Sequence, residues 1–102
     1  MGTTVERLIE VLKELDQRRD LPVQGEDPEF IAAGEDEDVD LAVELVNEVL
    51  LADCEPREPV NTEARKILHE AGFEVAPGEA DSFGWLSGIL RLPTAKKTLV
   101  FG

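Results

Sequence analysis

Apolar residues recur every three or four positions in three stretches of this chain, a pattern typical of amphipathic helices. The stretches are residues 3–19, 39–52 and 62–71. The second stripe is wide, because Leu41 and Leu45 flank it, and a wide stripe indicates burial on more than one side. The pattern therefore predicts three helices, with the middle one covered on several sides.

Polar residues and a glycine mark where these helices begin and end. Thr3 and Glu6 have the spacing of a capping box at the start of the first helix. Asn61 suits the N-cap of the third helix, and Gly72 suits the position after its last turn, with Phe73 supplying the usual apolar contact. The residues of this third helix expected to face inward are Ala64, Ile67, Leu68 and Ala71.

The segment between the first two helices is the least regular part of the chain. Asp27-Pro28 resembles an N-cap followed by proline at the first helical position. This predicts one short helical turn closed by Gly34. Phe30 and Ile31 are its only large apolar residues, and we expect at least one of them to anchor the turn to the core.

The C-terminal third changes to strand patterning. Residues 73–76 alternate, while residues 85–92 and 98–101 are apolar runs separated by a Pro-Thr-Ala-Lys turn, which predicts a hairpin. Helices first and strands last favour an α+β domain. The predicted architecture is two to three amphipathic helices packed on a small three-stranded antiparallel sheet.

The longer of these runs has two unlike faces. Leu90 and Leu92 lie on the face better suited to the core, which directs Trp85 and Ile89 to the other face or under a second layer. Trp85 either closes the end of the core or anchors a partner. Gly88 is a candidate for a close approach of another part of the chain.

Length and composition fit a single domain. The chain has 102 residues, of which 42% are apolar and 32% charged, a globular rather than a disordered mixture. We expect one domain over residues 1–102, with a helical acidic half (1–55) and a half built of a helix and a β-hairpin (56–102). No membrane span or signal peptide is visible. The one cysteine, Cys54, cannot form an internal disulfide, so a cytoplasmic location is expected.

Charge is distributed very unevenly along the chain. The net charge is −13, and between Asp20 and Glu55 there are 13 acids without a lysine or arginine, while the rest of the chain is balanced. Such a field disfavours direct binding to nucleic acid or to an anionic membrane and favours a basic protein surface. Halophilic adaptation is the alternative, although it would spread acids over every face.

Most of these carboxylates form the expected partner-binding face. They are Glu26, Asp27, Glu29, Glu35, Asp36, Glu37, Asp38, Asp40, Glu44 and Glu48.

Asp36, Asp38 and Asp40 resemble the opening of a calcium-binding loop, in which carboxylates alternate. However, Leu41 occupies the position that needs glycine, and Asn47 occupies the position that needs a bidentate glutamate. We interpret the three aspartates as an acidic helix start and predict no metal site.

Residues suited to catalysis are sparse. His69 is the single histidine, and an exposed position near a helix C-terminus is the simplest interpretation. The Gly84–Gly88 spacing belongs to a strand rather than to a phosphate-binding loop. We therefore expect no catalytic residue, no cofactor and no enzymatic activity.

The leading hypothesis is a non-enzymatic module that docks a basic partner, for example a nucleic-acid-binding protein that it inhibits by mimicking nucleic acid, as phage and mobile-element inhibitors do. One alternative is a structural domain that forms homodimers through its C-terminal strands, with the acids maintaining solubility. The third is a small enzyme with a buried carboxylate pair.

Overall fold

The structure, a computed structural model, describes residues 4–52, 61–77 and 88–102. The elements in chain order are α1 (Thr4–Asp16), α2 (Glu37–Val46), a π-helix (Asn47–Ala52), α3 (Thr62–Glu70), β1 (Glu74–Pro77), β2 (Gly88–Leu92) and β3 (Lys97–Phe101). The predicted α+β class is confirmed, with three helices preceding a three-stranded antiparallel sheet.

The sheet has the strand order β1-β2-β3 and two different faces. On the inner face Leu90 lies opposite Val75 and Leu99, and all three are buried. On the outer face Ile89 lies opposite Val100, and these side chains are 40% and 42% exposed. The prediction that Leu90 faces the core and Ile89 faces outward is therefore confirmed.

Each helix packs against a different strand, and the helices cover the face of the sheet that is buried. α1 contacts β2, α2 contacts β3, and α3 contacts β1, while α1 also contacts both other helices. The helical stripes supply the core: Leu8, Leu12 and Leu15 of α1 and Val39 and Val46 of α2 are fully buried or nearly so. The predicted spacing of apolar residues thus places α1 at the centre of one core.

α1 ends at Asp16, before the predicted end at residue 19. Gln17 and Arg18 donate their amides to Glu14 and Leu15, three residues back, which tightens the last turn and ends the helix.

The ends of α3 form as the sequence predicts. Asn61 is the N-cap, and its Oδ1 accepts the amide of Ala64 at 3.1 Å. At the other end Gly72 has φ +100°, its amide bonds His69 and the amide of Phe73 bonds Leu68, which is a Schellman motif.

The segment before α2 forms a turn at Pro28 and Glu29, closed by the Phe30 amide, which donates to the Asp27 carbonyl at 3.1 Å, but the predicted helical turn over residues 29–33 does not form. Phe30 and Ile31 are extended instead: the Ile31 amide donates to the Thr98 carbonyl at 2.9 Å, and the Thr98 amide donates to the Glu29 carbonyl at 2.7 Å. This pairing covers the beginning of β3 and gives the Ile31 and Thr98 amides their acceptors. Ile31 is buried, so the predicted apolar anchor is confirmed.

The predicted helix over residues 39–52 forms in two parts. It is α-helical from Glu37 to Val46 and continues as a π-helix, in which each backbone bond spans five residues. Asn47 opens the π-helix, and its Oδ1 accepts the amide of Gly102 at 3.0 Å, which ties this segment to the end of β3.

Several predictions fall outside the described residues, including the capping box at Thr3, the position of Cys54 and the orientation of Trp85. None of the helices in the described part combines the length and apolar character that a membrane crossing demands.

Candidate interaction surface

Four carboxylates form a row along the exposed side of α2 and the π-helix. Glu37, Asp40, Glu44 and Glu48 follow one another at spacings of three or four residues and are all exposed. Such spacing places them on one helix face, over roughly 16 Å at 1.5 Å per residue. We call these four residues the acidic stripe. It is exposed because the opposite side of α2 packs into the core.

The acidic stripe lacks ion-pair partners among the described residues. None of its four carboxylates forms an ion pair there, and one hydrogen bond engages the stripe: the Asp40 carboxylate accepts the amide of Gly34 at 2.7 Å. Unpaired like charges at this spacing repel one another mildly. A cationic partner would relieve that repulsion.

Arg18 contacts a neighbouring group of three aspartates. Its guanidinium holds the two carboxylate oxygens of Asp36 at 3.0 and 2.6 Å, and it also contacts Asp20 at 2.9 Å and Asp38 at 3.5 Å. This planar, bidentate geometry is the strongest form of a carboxylate–arginine pair. Arg18 thereby joins the end of α1 to the start of α2.

Asp36 is engaged by groups of its own chain. It is the N-cap of α2, where its Oδ1 accepts the amides of Asp38 and Val39 at 2.9 and 3.3 Å, and its side chain is only 19% exposed. The Arg18 guanidinium, together with these amides, lowers the Asp36 pKa to about 2. The Asp20 pKa is lowered as well, chiefly by its hydrogen bond to Arg18.

We expect acid to weaken the contribution of Asp36 to stability. The folded pKa of about 2 lies below the ordinary value of 3.8, so this contribution is complete above about pH 4 and disappears as the pH falls through 2. The variant Asp36→Asn should therefore unfold more readily than the wild type at neutral pH, and the difference should narrow between about pH 4 and pH 2. Urea unfolding across this range measures it.

The effect of Asp36→Asn should also be measured in a variant that lacks the Arg18 guanidinium. In Arg18→Gln the effect of Asp36→Asn should be smaller at neutral pH, because the guanidinium is the main cause of the lowered pKa. A stability difference that stays constant from neutral pH to pH 2 would contradict this assignment.

The remaining predicted acids lie before α2. Glu26, Asp27 and Glu29 belong to the segment paired with β3, and the Asp27 carboxylate accepts the Glu29 amide at 3.2 Å. Glu35 directly precedes the N-cap and is exposed. These residues are accessible, but no described contact joins them to the acidic stripe.

The calcium-like spacing at the start of α2 does not gather its carboxylates on one point. Asp36 faces Arg18, whereas Asp40 faces the Gly34 amide. Among the described residues, no group of three or more acidic, histidine or cysteine side chains is arranged to hold a metal ion. His69 is exposed near the end of α3, as predicted, and contacts Glu74 at the start of β1.

Arg18 connects α1 to the start of α2, and local sequence patterns do not predict this role. Its partner Asp36 lies 18 residues away, whereas local helix spacing favours a pair with Glu14. The available sequence signal was that Arg18 and Arg19 are the last bases before the acidic run.

No protein-family model, curated protein or solved structure matches this chain.

Proposed function

We propose that this protein is a non-enzymatic interaction module that docks the acidic stripe against a basic surface of a partner protein. The observation that carries the proposal is the row of four exposed carboxylates, none of which has an ion-pair partner among the described residues. A surface of this kind gains from a cationic partner both attraction and faster encounter.

The regular spacing supports a more specific form of the proposal. Negative groups at intervals of roughly 4.5–6 Å along a helix axis present a linear array of charge, as the phosphates of a nucleic-acid strand do. The partner would then be a nucleic-acid-binding protein, and the stripe would occupy its binding groove. In that case excess double-stranded DNA competes with this protein for the partner.

The experiment compares two variants of equal charge. The stripe variant carries Glu37→Gln, Glu44→Gln and Glu48→Gln, and the control variant carries Glu10→Gln, Glu14→Gln and Glu70→Gln on exposed positions of α1 and α3. Both change the net charge from −13 to −10, since each loses three carboxylates. The probe is a labelled peptide of lysine and serine, and its affinity is measured by fluorescence anisotropy.

We expect the stripe variant to bind the peptide about tenfold more weakly, since each lost ion pair is worth about 0.5 kcal/mol. The control variant should lose about twofold, from the general field alone. The affinity of the wild type should also fall when NaCl rises from about 0.05 to 0.3 M. Equal losses in the two variants, or an affinity indifferent to salt, would refute the proposal.

A further inference from the structure

A groove lies beside the end of the acidic stripe, where α1 and α3 begin next to the π-helix. Its volume is about 430 Å³, within the range of roughly 300–1,000 Å³ typical of ligand sites. Val5, Val49, Ala64 and Ile67 provide its apolar lining. Val49 and Ala64 are buried at its base, whereas Ile67 is 38% exposed.

The exposure of Ile67 differs from the sequence prediction, which directed this side chain inward with Leu68. Leu68 is fully buried, but Ile67 lies at the margin of the helix face and borders the groove instead. The exposed part of Ile67 therefore extends the apolar lining of the groove to its opening.

The charged residues among the described lining of this groove are all acidic. Glu6, Glu48 and Glu63 line it, and no lysine or arginine is among its described lining residues. An apolar floor with an anionic border fits a ligand segment that is itself apolar in the centre and cationic at its edges. A second copy of this chain is disfavoured, because each copy has a net charge of −13.

The walls of the groove are fixed by backbone contacts. The Asn61 amide donates to the Leu50 carbonyl of the π-helix at 2.7 Å, and the Asn61 side chain caps α3. These bonds hold α3 against the π-helix before any ligand arrives. A preformed site loses less conformational freedom on binding and so retains more of its contact energy.

Glu48 belongs both to the acidic stripe and to the groove, so the two features adjoin. We infer that the groove receives an apolar side chain from a cationic amphipathic segment of the partner, whose lysines or arginines lie along Glu48 and the acidic stripe. This inference rests on the proposed function and adds the apolar anchor that gives the docking its specificity.

The test uses a pair of labelled peptides with equal charge. One is the lysine–serine peptide described above, and the other replaces its serines by leucines at helical spacing over about 14 residues, roughly four turns. We expect the leucine peptide to bind the wild type about tenfold more tightly, because a leucine leaves water on entering the groove.

Two isoleucines of nearly equal exposure provide matched variants. Ile67→Gln removes the exposed apolar side chain at the opening of the groove, whereas Ile89→Gln makes the same change on the outer face of the sheet. The tenfold preference for the leucine peptide should fall to about twofold in Ile67→Gln and persist in Ile89→Gln. Sedimentation of the wild type should show a monomer at every concentration.

The outcomes separate this inference from the proposed function. Equal binding of the two peptides by the wild type, or a preference that survives Ile67→Gln, overturns the groove assignment while the stripe proposal stands. A dimer that Ile67→Gln dissociates also overturns it, because the groove would then hold a second copy. If each peptide binds the stripe variant and the control variant with equal affinity, the proposed function is overturned.

Discussion

Replacing Gly88 by alanine is expected to destabilise the protein by about 3 kcal/mol, which is roughly a hundredfold in the folding equilibrium. A Cβ atom at this position would lie 2.6 Å from Cζ of Phe101 and 2.9 Å from the carbonyl oxygen of Ala76. Phe101 is buried, and the Ala76 oxygen belongs to the backbone of β1, so neither neighbour can retreat easily. Either β2 moves away from β1, or the aromatic ring leaves its place in the core.

Gly25→Ala is the matched control. No atom lies within 4 Å of a Cβ built at Gly25, and its φ angle is not positive. The change should leave stability within about 1 kcal/mol of the wild type, with a small gain because alanine restricts the unfolded chain. Urea unfolding of both variants measures the difference. Equal stabilities would mean that the Phe101 ring does not lie over Gly88.

The second large effect is expected at Asp16. This carboxylate ends α1, is only 9% exposed, and its Oδ1 accepts the amides of Thr94 and Ala95, both at 2.9 Å. Asp16→Ala leaves both donors of the β2–β3 turn without their partner, at a cost of about 2 kcal/mol. The expected result is a lower unfolding midpoint in urea with little change in the slope of the transition.

Asp16→Asn and Gln17→Ala complete this comparison. Asparagine keeps an acceptor oxygen but loses the charge that strengthens these bonds, so it should cost about 1 kcal/mol. Gln17 is exposed, and Gln17→Ala should change stability by less than about 0.5 kcal/mol. If Asp16→Ala were as stable as Gln17→Ala, the turn amides would not depend on this carboxylate.

The parts of the fold that local chemistry determines could be predicted from the sequence. Asn61 and Gly72 bound α3 because their side-chain and backbone properties are the ones a helix end requires. Alternating exposure in β2 follows from a period of two, which places Leu90 inside and Ile89 outside. Gly88 was recognised as a point of close approach for the same local reason: it has no side chain.

Features that depend on distant parts of the chain could not be predicted. The turn that Pro28 favours does form, but it does not continue as a helix, because Ile31 instead hydrogen-bonds Thr98, 67 positions away. The π-helix has no sequence pattern that distinguishes it from a continuation of α2. In both places tertiary packing decides between structures that local propensity hardly separates.

The candidate site likewise combines features that local sequence predicts with features that depend on distant contacts. The acidic run was visible from composition, and helix periodicity suffices to align Glu37 with Glu44 once α2 is assigned. The sequence could not show that Asp36 is bound by Arg18 while the carboxylates of the acidic stripe remain exposed. The contact between Arg18 and Asp36 depends on how the end of α1 packs against the start of α2. Nor could the sequence predict that Ile67 is exposed, because its exposure depends on where α3 packs against the π-helix.

The most direct test of the proposed docking is to map where the lysine–serine peptide binds on the wild-type protein. Amide chemical shifts, recorded by NMR as the peptide is added, should change chiefly between Glu37 and Glu48, and the changes should shrink as salt rises. Shift changes spread evenly over all exposed acids, including Glu10 and Glu70, would contradict a dedicated docking surface and leave only a uniformly anionic protein.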